Sequence, residues 1–112
     1  MLPKQYRLNR ADFDIVYKKG RRVRGKNFGL IYLVSDDKNE PSKIGIVVSK
    51  KVLKNAVDRN KLKRQVRSVL IKNTIETLPP GYRIVLTAFS APKTREFEEI
   101  KNELMDLFRK IF

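Results

Sequence analysis

Cationic and amide side chains are most densely arranged in the segment KNAVDRNKLKRQVRSVL, residues 54–70, which holds six lysines and arginines. One amide and three cationic side chains of this segment fall at i, i+3, i+4 and i+7: Asn60, Lys63, Arg64 and Arg67. On a helix they form one row, in which like charges repel by about 0.2–0.5 kcal/mol per pair. Because a guanidinium can bind two phosphate oxygens at once, the row predicts a surface for an external polyanion. A solvated helix face that merely favours lysine and arginine is the alternative.

Further cations flank this row. Arg59 and Lys61 lie just outside it, and Lys50 and Lys51 precede the segment where a strand is expected to run into a helix. Asp58 is the only acid in the helix, and we expect it to support the helix N-terminus. An adjoining face of about 100° is apolar and predicts the side that packs on a sheet. It consists of Leu62, Val66, Val69 and Leu70.

Side chains for independent catalysis are missing from the sequence. There is no histidine and no cysteine, which removes the usual nucleophile–base pairs and the commonest metal ligands. Asp36 and Asp37 lie in a polar loop, where a turn is favoured over a metal site. No glycine-rich phosphate-binding motif occurs. We assign no catalytic residue and no metal ligand, and an isolated nuclease with an unrecognised carboxylate–metal site is one alternative.

Charge is unevenly distributed along the 112 residues. The chain carries 26 Lys and Arg against 12 Asp and Glu, a net charge of +14. Residues 1–72 hold 20 basic and 6 acidic residues, whereas residues 73–112 hold 6 of each. A one-sided basic field favours nucleic acid over an anionic membrane, with a basic protein whose surface is idle as the alternative.

Length and composition predict a single domain, residues 1–112, because 41% of the residues are hydrophobic and no linker or repeat divides the chain. No apolar run approaches the roughly 18 residues of a membrane span. The first residues lack the apolar segment of a secretory signal. We therefore expect a cytoplasmic protein.

The N-terminal helix is bounded by residues typical of helix ends. Asn9 is expected to cap a helix that begins near Arg10, with Asp12 reaching back from its first turn and Gly20 ending it. Three side chains form an apolar stripe on this helix: Phe13, Val16 and Tyr17. The run KKGRRVRGK, residues 18–26, is predicted to be a cation-dense turn, either a second phosphate contact or a solubilising loop.

The remaining periodicities indicate strands at residues 23–34, 43–49 and 82–89, of which the first is long enough to bend or split. Between them the cationic segment forms a helix to about Lys72, and LPPG at 78–81 breaks the chain. Thr94 is expected to cap a closing helix with an apolar stripe of period 3.6: Phe97, Ile100, Leu104, Leu107, Phe108 and Ile111. The order indicates an α+β fold in which helices pack on one sheet.

The residues also carry a resemblance to a known family. VSKK followed by NAVDRNKLKRQVR resembles the signature of the bacterial ribonuclease P protein subunit, in which Arg-Asn precedes Lys-Arg and a further Arg along one helix. LNRADFDIVYKKG, FGLIYL, KIGIVVSKK and the closing helix fall in the family's order, so the resemblance covers nearly the whole chain. Lys61 stands where the family often has arginine, and the turn after Lys51 lacks the glycine of many relatives.

The resemblance implies an α-β-β-β-α-β-α two-layer sandwich with a four-stranded sheet. It also implies a left-handed βαβ crossover at the central helix, where the general rule favours a right-handed one. The implied function is to bind the catalytic RNA of the ribonucleoprotein endonuclease ribonuclease P and the single-stranded 5′ leader of precursor tRNA. This binding would improve substrate affinity and Mg2+ use. The RNA is then the catalyst, Mg2+ serves its reaction, and no cofactor motif, membrane or obligate protein partner is indicated.

These implications assign residues to two contacts. Contact with the catalytic RNA is expected from Lys50, Lys51, Arg59, Asn60, Lys61, Lys63, Arg64 and Arg67. The resemblance implies a leader cleft formed by Phe13, Tyr17 and Ile31. Aromatic rings are sequence-tolerant platforms for unpaired bases, worth about 1–3 kcal/mol each, and plain core packing is the alternative for the two rings. A ribosomal or other structural RNA-binding protein without a leader site is the alternative function.

Overall fold

The computed structural model describes residues 6–36, 39–73, 78–90 and 97–111. Their elements follow the order α-β-β-β-α-β-α: α1 Arg10–Lys19, β1 Arg21–Arg24, β2 Phe28–Val34, β3 Lys43–Val48, α2 Ala56–Asn73, β4 Tyr82–Ala88 and α3 Phe97–Arg109. The strand predicted at 23–34 is split by a turn at 25–27. The cap predicted at Thr94 lies outside the described residues.

The ends of α1 explain how this helix is placed. The Asn9 side chain accepts a hydrogen bond from the backbone N–H of Asp12 at 2.8 Å, which confirms the predicted cap. The Asp12 carboxylate was expected to reach back to that cap, which is wrong: it lies 3.3 Å from Nε of Arg83. Gly20 ends the helix in an extended conformation, with φ −72° and ψ 156°. Lack of space requires glycine there, because a Cβ would lie 2.8 Å from Cγ2 of Ile31.

The four strands form one sheet in the order β1-β2-β4-β3. β1 with β2 and β2 with β4 are antiparallel, whereas β3 and β4 are parallel and joined through α2. The hand of that β3–α2–β4 crossover stays a prediction. Residues 18–26 are not the predicted turn, since their centre pairs with β2 as edge strand β1. Backbone hydrogen bonding to the sheet therefore outweighs repulsion among the arginines of this segment.

Side chains alternate between the two faces of the sheet. On one face, Leu30, Ile84 and Leu86 pack against α2 and α3 in the main core. The predicted apolar stripe of α2 is confirmed, because all four of its side chains are fully buried: Leu62, Val66, Val69 and Leu70. The predicted stripe of α3 also faces this core. α2 and α3 thus form one helical layer on this face of the sheet; the expected two-layer arrangement is incomplete, because α1 packs on the other face.

The opposite face of the sheet carries α1. Val16 is fully buried there against Ile31 and Val85, in a smaller second core. The strand register aligns Arg22, Ile31, Val85 and Gly45 in one row across the sheet. α1 packs on this row. The next row, nearer the C-terminal ends of β3 and β4, consists of Arg24, Gly29, Thr87 and Val47.

Candidate nucleic-acid interface

The start of α2 is fixed by contacts with the turn that precedes it. The Arg59 guanidinium donates through Nη1 to the carbonyl oxygens of Leu53, at 2.9 Å, and Lys54, at 2.7 Å. Asn55 donates through Nδ2 to the Asp58 carboxylate at 3.4 Å, in agreement with the expected role of this acid. Arg59, predicted only as an RNA contact, therefore also holds the turn against the helix.

The four residues of the predicted row lie on the side of α2 that adjoins the buried stripe. Asn60 and Arg64 are exposed, while Lys63 and Arg67 are half-buried. Lys61 is exposed, as are Lys50 and Lys51 in the turn before α2. We call these residues, together with Arg59, the cationic row. Asn60, Lys63, Arg64 and Arg67 share one side of α2, as the sequence spacing predicts, and Arg59 and Lys61 flank this side.

The cationic row has little internal charge compensation. Within the described ranges, the ion pairs join Arg83 to Asp12 and Glu40, and Arg109 to Asp106. None of these pairs involves a residue of α2. Because like charges held three and four residues apart repel, an external anion is the partner that this surface favours.

On the other face of the sheet, the ring of Phe13 lies directly on the backbone of Gly45. A Cβ built on Gly45 would lie 2.7 Å from Cε1 and 3.0 Å from Cε2 of that ring, which no side chain tolerates without movement. Gly45 was not predicted to be functional. The available signal was an isolated glycine inside a buried strand, which often marks a position where another group packs closely against the strand backbone.

We call the surface where α1 adjoins the next row of the sheet the cleft, and Phe13 and Tyr17 are the aromatic side chains of α1 beside it. Tyr17 lies about 140° around α1 from Asp12, which is bound to Arg83 on the helix's other flank. Tyr17 therefore lies on the flank of α1 that faces away from Arg83, toward the next row of the sheet. The floor of the cleft is made of small side chains from this row: Gly29, Thr87 and Val47. Tyr17 is 39% exposed and Phe13 is half-buried, so both rings retain accessible surface.

Ile31 was expected to line the cleft, but its side chain is not accessible there. Its side chain is only 4% exposed and is packed with Val16 and Val85. The cause is the alternation of the strand, which points Ile31 at the row that α1 crosses. A stacked base needs an accessible side-chain face, which Ile31 lacks, so the structure shows it as support for α1.

A groove at the edge of β3 joins the cleft to the cationic row. It has a volume of about 230 Å³, and Phe13 and Arg67 both line it. Its other lining residues are Arg7, Leu8, Ile44, Gly45 and Ile46. The sequence predicted Phe13 and Arg67 as parts of two separate contacts. The fold brings them together because α1 and α2 flank the same edge strand from opposite faces.

Two further features bear on function. Among the described residues, no group of three or more aspartates or glutamates is placed to hold a metal ion. Of Asp36 and Asp37, the two loop acids for which a turn was favoured over a metal site, Asp37 lies outside the described ranges. In the same part of the chain, no helix is both long and apolar enough to cross a membrane.

An α+β fold with a row of cations along one helix and accessible aromatic rings on the other face of the sheet is typical of an RNA-binding protein. The family model described as ribonuclease P matches residues 2–112. The chain therefore belongs to the ribonuclease P protein family.

Individual relatives agree with this membership. The ribonuclease P protein component of Pseudanabaena sp. (strain PCC 6903) is 40% identical over 111 residues, covering 98% of this chain and 94% of its own length. The structure of the RNase P protein from Thermotoga maritima aligns with a TM-score of 0.78 at 29% identity, over 95% of this chain and 97% of its own. That from Staphylococcus aureus gives 0.76 at 31% identity, over 94% of each chain.

The membership settles the class of activity. The chain is the RNA-binding subunit of ribonuclease P, the ribonucleoprotein enzyme that cleaves precursor tRNA in 5′ processing, and its partner is the ribonuclease P RNA. The expected α+β fold is confirmed by the same relatives. A ribosomal protein and an isolated nuclease are thereby set aside as alternatives.

Proposed function

We propose that the chain holds the ribonuclease P RNA on the cationic row and the single-stranded 5′ leader of precursor tRNA in the cleft. The observation that carries this proposal is the shared groove, in which Arg67 of the row and Phe13 of the cleft line one volume. An RNA bound along α2 and a strand lying in the cleft would therefore be neighbours. Such an arrangement places substrate beside the RNA that acts on it.

The cationic row supplies charge neutralisation. Each lysine or arginine that contacts a phosphate releases counterions, so affinity for the RNA depends steeply on salt. The exposed side chains of Arg64 and Lys61 can reach a phosphate without rearranging the fold. Arg59 contributes in two ways, because its guanidinium holds the turn that carries Lys50 and Lys51.

The cleft would bind the leader with little dependence on its sequence. Every base has a face that can stack on an aromatic ring, so Phe13 and Tyr17 would accept leaders of varied sequence. The alternative of core packing holds for one face of the Phe13 ring, which lies on Gly45. The small floor residues leave room for a strand to lie against the sheet.

Mg2+ would serve the reaction through the RNA. The described residues provide no cluster of acids for the ion, and the +14 net charge of the chain instead neutralises phosphates. The protein would thus lower the Mg2+ concentration that the RNA needs to bind substrate. We place this activity in one RNA-binding domain, residues 1–112, acting in the cytoplasm.

Reconstitution with the cognate RNA at low Mg2+ tests this proposal. Affinities of the holoenzyme for precursor and mature tRNA are measured with wild-type protein, Tyr17→Leu and Ile15→Ala. Ile15 is a matched control because it is 41% exposed on the flank of α1 away from the cleft. Tyr17→Leu should weaken precursor binding about 5- to 150-fold, the range of one base–aromatic stack, and leave mature tRNA unchanged.

Ile15→Ala should bind both tRNAs as the wild type does. Equal losses of Tyr17→Leu for precursor and mature tRNA would contradict a leader contact, because only the precursor has unpaired leader bases. Circular dichroism of each variant verifies that the protein is folded before the comparison.

A further inference from the structure

A third aromatic ring lies across the cleft floor from α1. Phe89 directly follows β4, and its Cε1 lies 3.6 Å from the position that a Cβ on Gly29 would occupy. The Arg24 guanidinium covers the ring, with Cζ 4.0 Å from the ring centroid. Arg24 and Gly29 are paired in the register of β1 and β2, so both lie on the face that carries α1. Phe89 and Arg24 therefore border the same floor as Phe13 and Tyr17.

The backbone beside this ring is held by a hydrogen-bond network centred on Asn27. The Asn27 carbonyl oxygen accepts from the N–H of Phe89 at 3.0 Å, and its side-chain oxygen accepts from Oγ of Ser90 at 2.8 Å. In turn the Asn27 backbone N–H and Nδ2 both donate to the Glu103 carboxylate, each at 2.9 Å. Phe89 is thereby tied through Asn27 to α3.

The Arg24 side of the pair is anchored to α3 as well. Lys110, at the end of that helix, donates through Nζ to the backbone oxygen of Arg24 at 3.1 Å. The Phe89 ring nevertheless remains half-buried under an exposed arginine. A half-exposed ring on a fixed backbone is preorganised for a ligand, because little conformational freedom is lost when it binds.

We propose that Phe89 and Arg24 form a second nucleotide-binding position in the cleft, where the ring stacks on an unpaired leader base and the guanidinium binds its phosphate. This inference rests on the proposed leader cleft and adds a position to it. An exposed cation–π contact is weak compared with a charge-assisted arginine–phosphate bond. The guanidinium can therefore leave the ring for the phosphate as the base arrives.

The two positions are far enough apart to take different nucleotides. Phe13 lies over Gly45, which pairs with Val85, and Phe89 is four residues further along the chain. The Phe89 ring lies beside Gly29, which pairs with Thr87, so the two rings are two strands apart in the sheet and two residues apart along it. With strands about 4.8 Å apart and about 3.3 Å per residue, this separation is roughly 10 Å across the sheet and roughly 7 Å along it. A strand that occupies both positions must cross the floor of Gly29 and Thr87.

A leader-length series with the reconstituted holoenzyme tests the proposal. Precursor tRNAs whose leaders are shortened one nucleotide at a time, and mature tRNA, are bound by wild-type protein, Phe89→Leu, Phe89→Tyr and Tyr17→Leu. Arg24→Gln is compared with Arg21→Gln, a charge-matched control on the same strand whose side chain is on the opposite face. Thermal melts followed by circular dichroism verify folding.

For long leaders, Phe89→Leu should lose about 5- to 150-fold in affinity, whereas Phe89→Tyr, which retains a ring, should bind as the wild type does. Mature tRNA should bind equally to all three. The effects of Phe89→Leu and Tyr17→Leu should vanish at different leader lengths. Arg24→Gln should lower the slope of log affinity against log salt by about 0.7, and Arg21→Gln should not.

Three results would overturn the second position: no effect of Phe89→Leu at any leader length, an equal effect with mature tRNA, or disappearance at the same length as the Tyr17→Leu effect. These failures are distinguishable from failure of the proposed function. If Tyr17→Leu retains its leader-dependent loss while Phe89→Leu has none, only the second position is refuted. If neither variant shows leader dependence, the cleft itself is refuted.

Discussion

Gly45→Ala should displace the Phe13 ring and thereby test the geometry of the cleft. The added methyl group would lie 2.7 Å from Cε1 and 3.0 Å from Cε2 of the ring, well inside van der Waals contact. Overpacking of this kind costs about 1–3 kcal/mol. Replacing glycine also restricts the unfolded chain, which returns about 0.4–1 kcal/mol.

The net loss of stability should thus be about 1–2 kcal/mol. For a chain of this size the melting temperature should fall by about 4 °C per kcal/mol, which circular dichroism measures. Because the ring must leave its position, affinity for precursor tRNA should fall about tenfold, within the range of one lost stack. Binding of the ribonuclease P RNA alone should change far less, since Arg67 is the one member of the cationic row among the lining residues of the groove that Phe13 and Gly45 share.

A double-mutant cycle separates this cause from a general effect of alanine in β3. In a Phe13→Ala background the methyl group at Gly45 has no ring to meet, so Gly45→Ala should be neutral or stabilising there. Gly29→Ala is a second control, because its Cβ would be 3.6 Å from the nearest ring atom and 3.2 Å from the closest backbone oxygen. Equal destabilisation by Gly45→Ala with and without the Phe13 ring would refute the packing of Phe13 on Gly45.

Four other outcomes are expected. Val66→Ala should cost about 1–3 kcal/mol of folding stability through lost burial, whereas Arg67→Ala should fold nearly normally and bind RNA more weakly; an unfolded Arg67→Ala would contradict the two faces of α2. Arg64→Ala should flatten the salt dependence of RNA binding by about 0.7–0.9 in slope, and an unchanged slope would make the row a solvated face. Sulfate or phosphate at millimolar concentration should raise the melting temperature more than chloride at matched ionic strength, because an anion bound only by the folded state stabilises it; equal effects would indicate general screening. Glu103→Ala should destabilise the fold by about 1–3 kcal/mol in thermal melts, because the backbone N–H groups of Asn27 and Phe28 lose their half-buried acceptor. An unchanged melting temperature would show that water replaces the carboxylate.

Local sequence patterns were reliable where one interaction dominates. The apolar stripe of α2 was predicted completely, because burial of Leu62 and Val66 follows from helical periodicity alone. The cap at Asn9 was predicted because its partner, the Asp12 N–H, is three residues away. The carboxylate of Asp12 was mispredicted because its partner, Arg83, is distant in sequence.

The cleft was predicted only in part. Phe13 and Tyr17 keep accessible surface, and their leader contact stays a prediction, whereas Ile31 is buried beneath α1. Strand alternation assigns Ile31 to a face, but which part of that face a helix covers depends on how the helix packs. The contact of Phe89 with Arg24 could not be predicted for a similar reason, since 65 residues separate them along the chain and only the sheet register brings them together.

The sequence by itself determined the kind of partner and predicted the surface that would bind it. Charge segregation, the spacing of Asn60, Lys63 and Arg67, and the absence of histidine and cysteine all act through local chemistry that needs no coordinates. The tertiary structure decided which side chains share a surface. Arg67 and Phe13 line one groove because α1 and α2 flank one edge strand. Phe13 is held at the surface because Gly45 leaves space for its ring. These contacts join segments far apart in the chain, so they depend on the pairing and packing of whole elements.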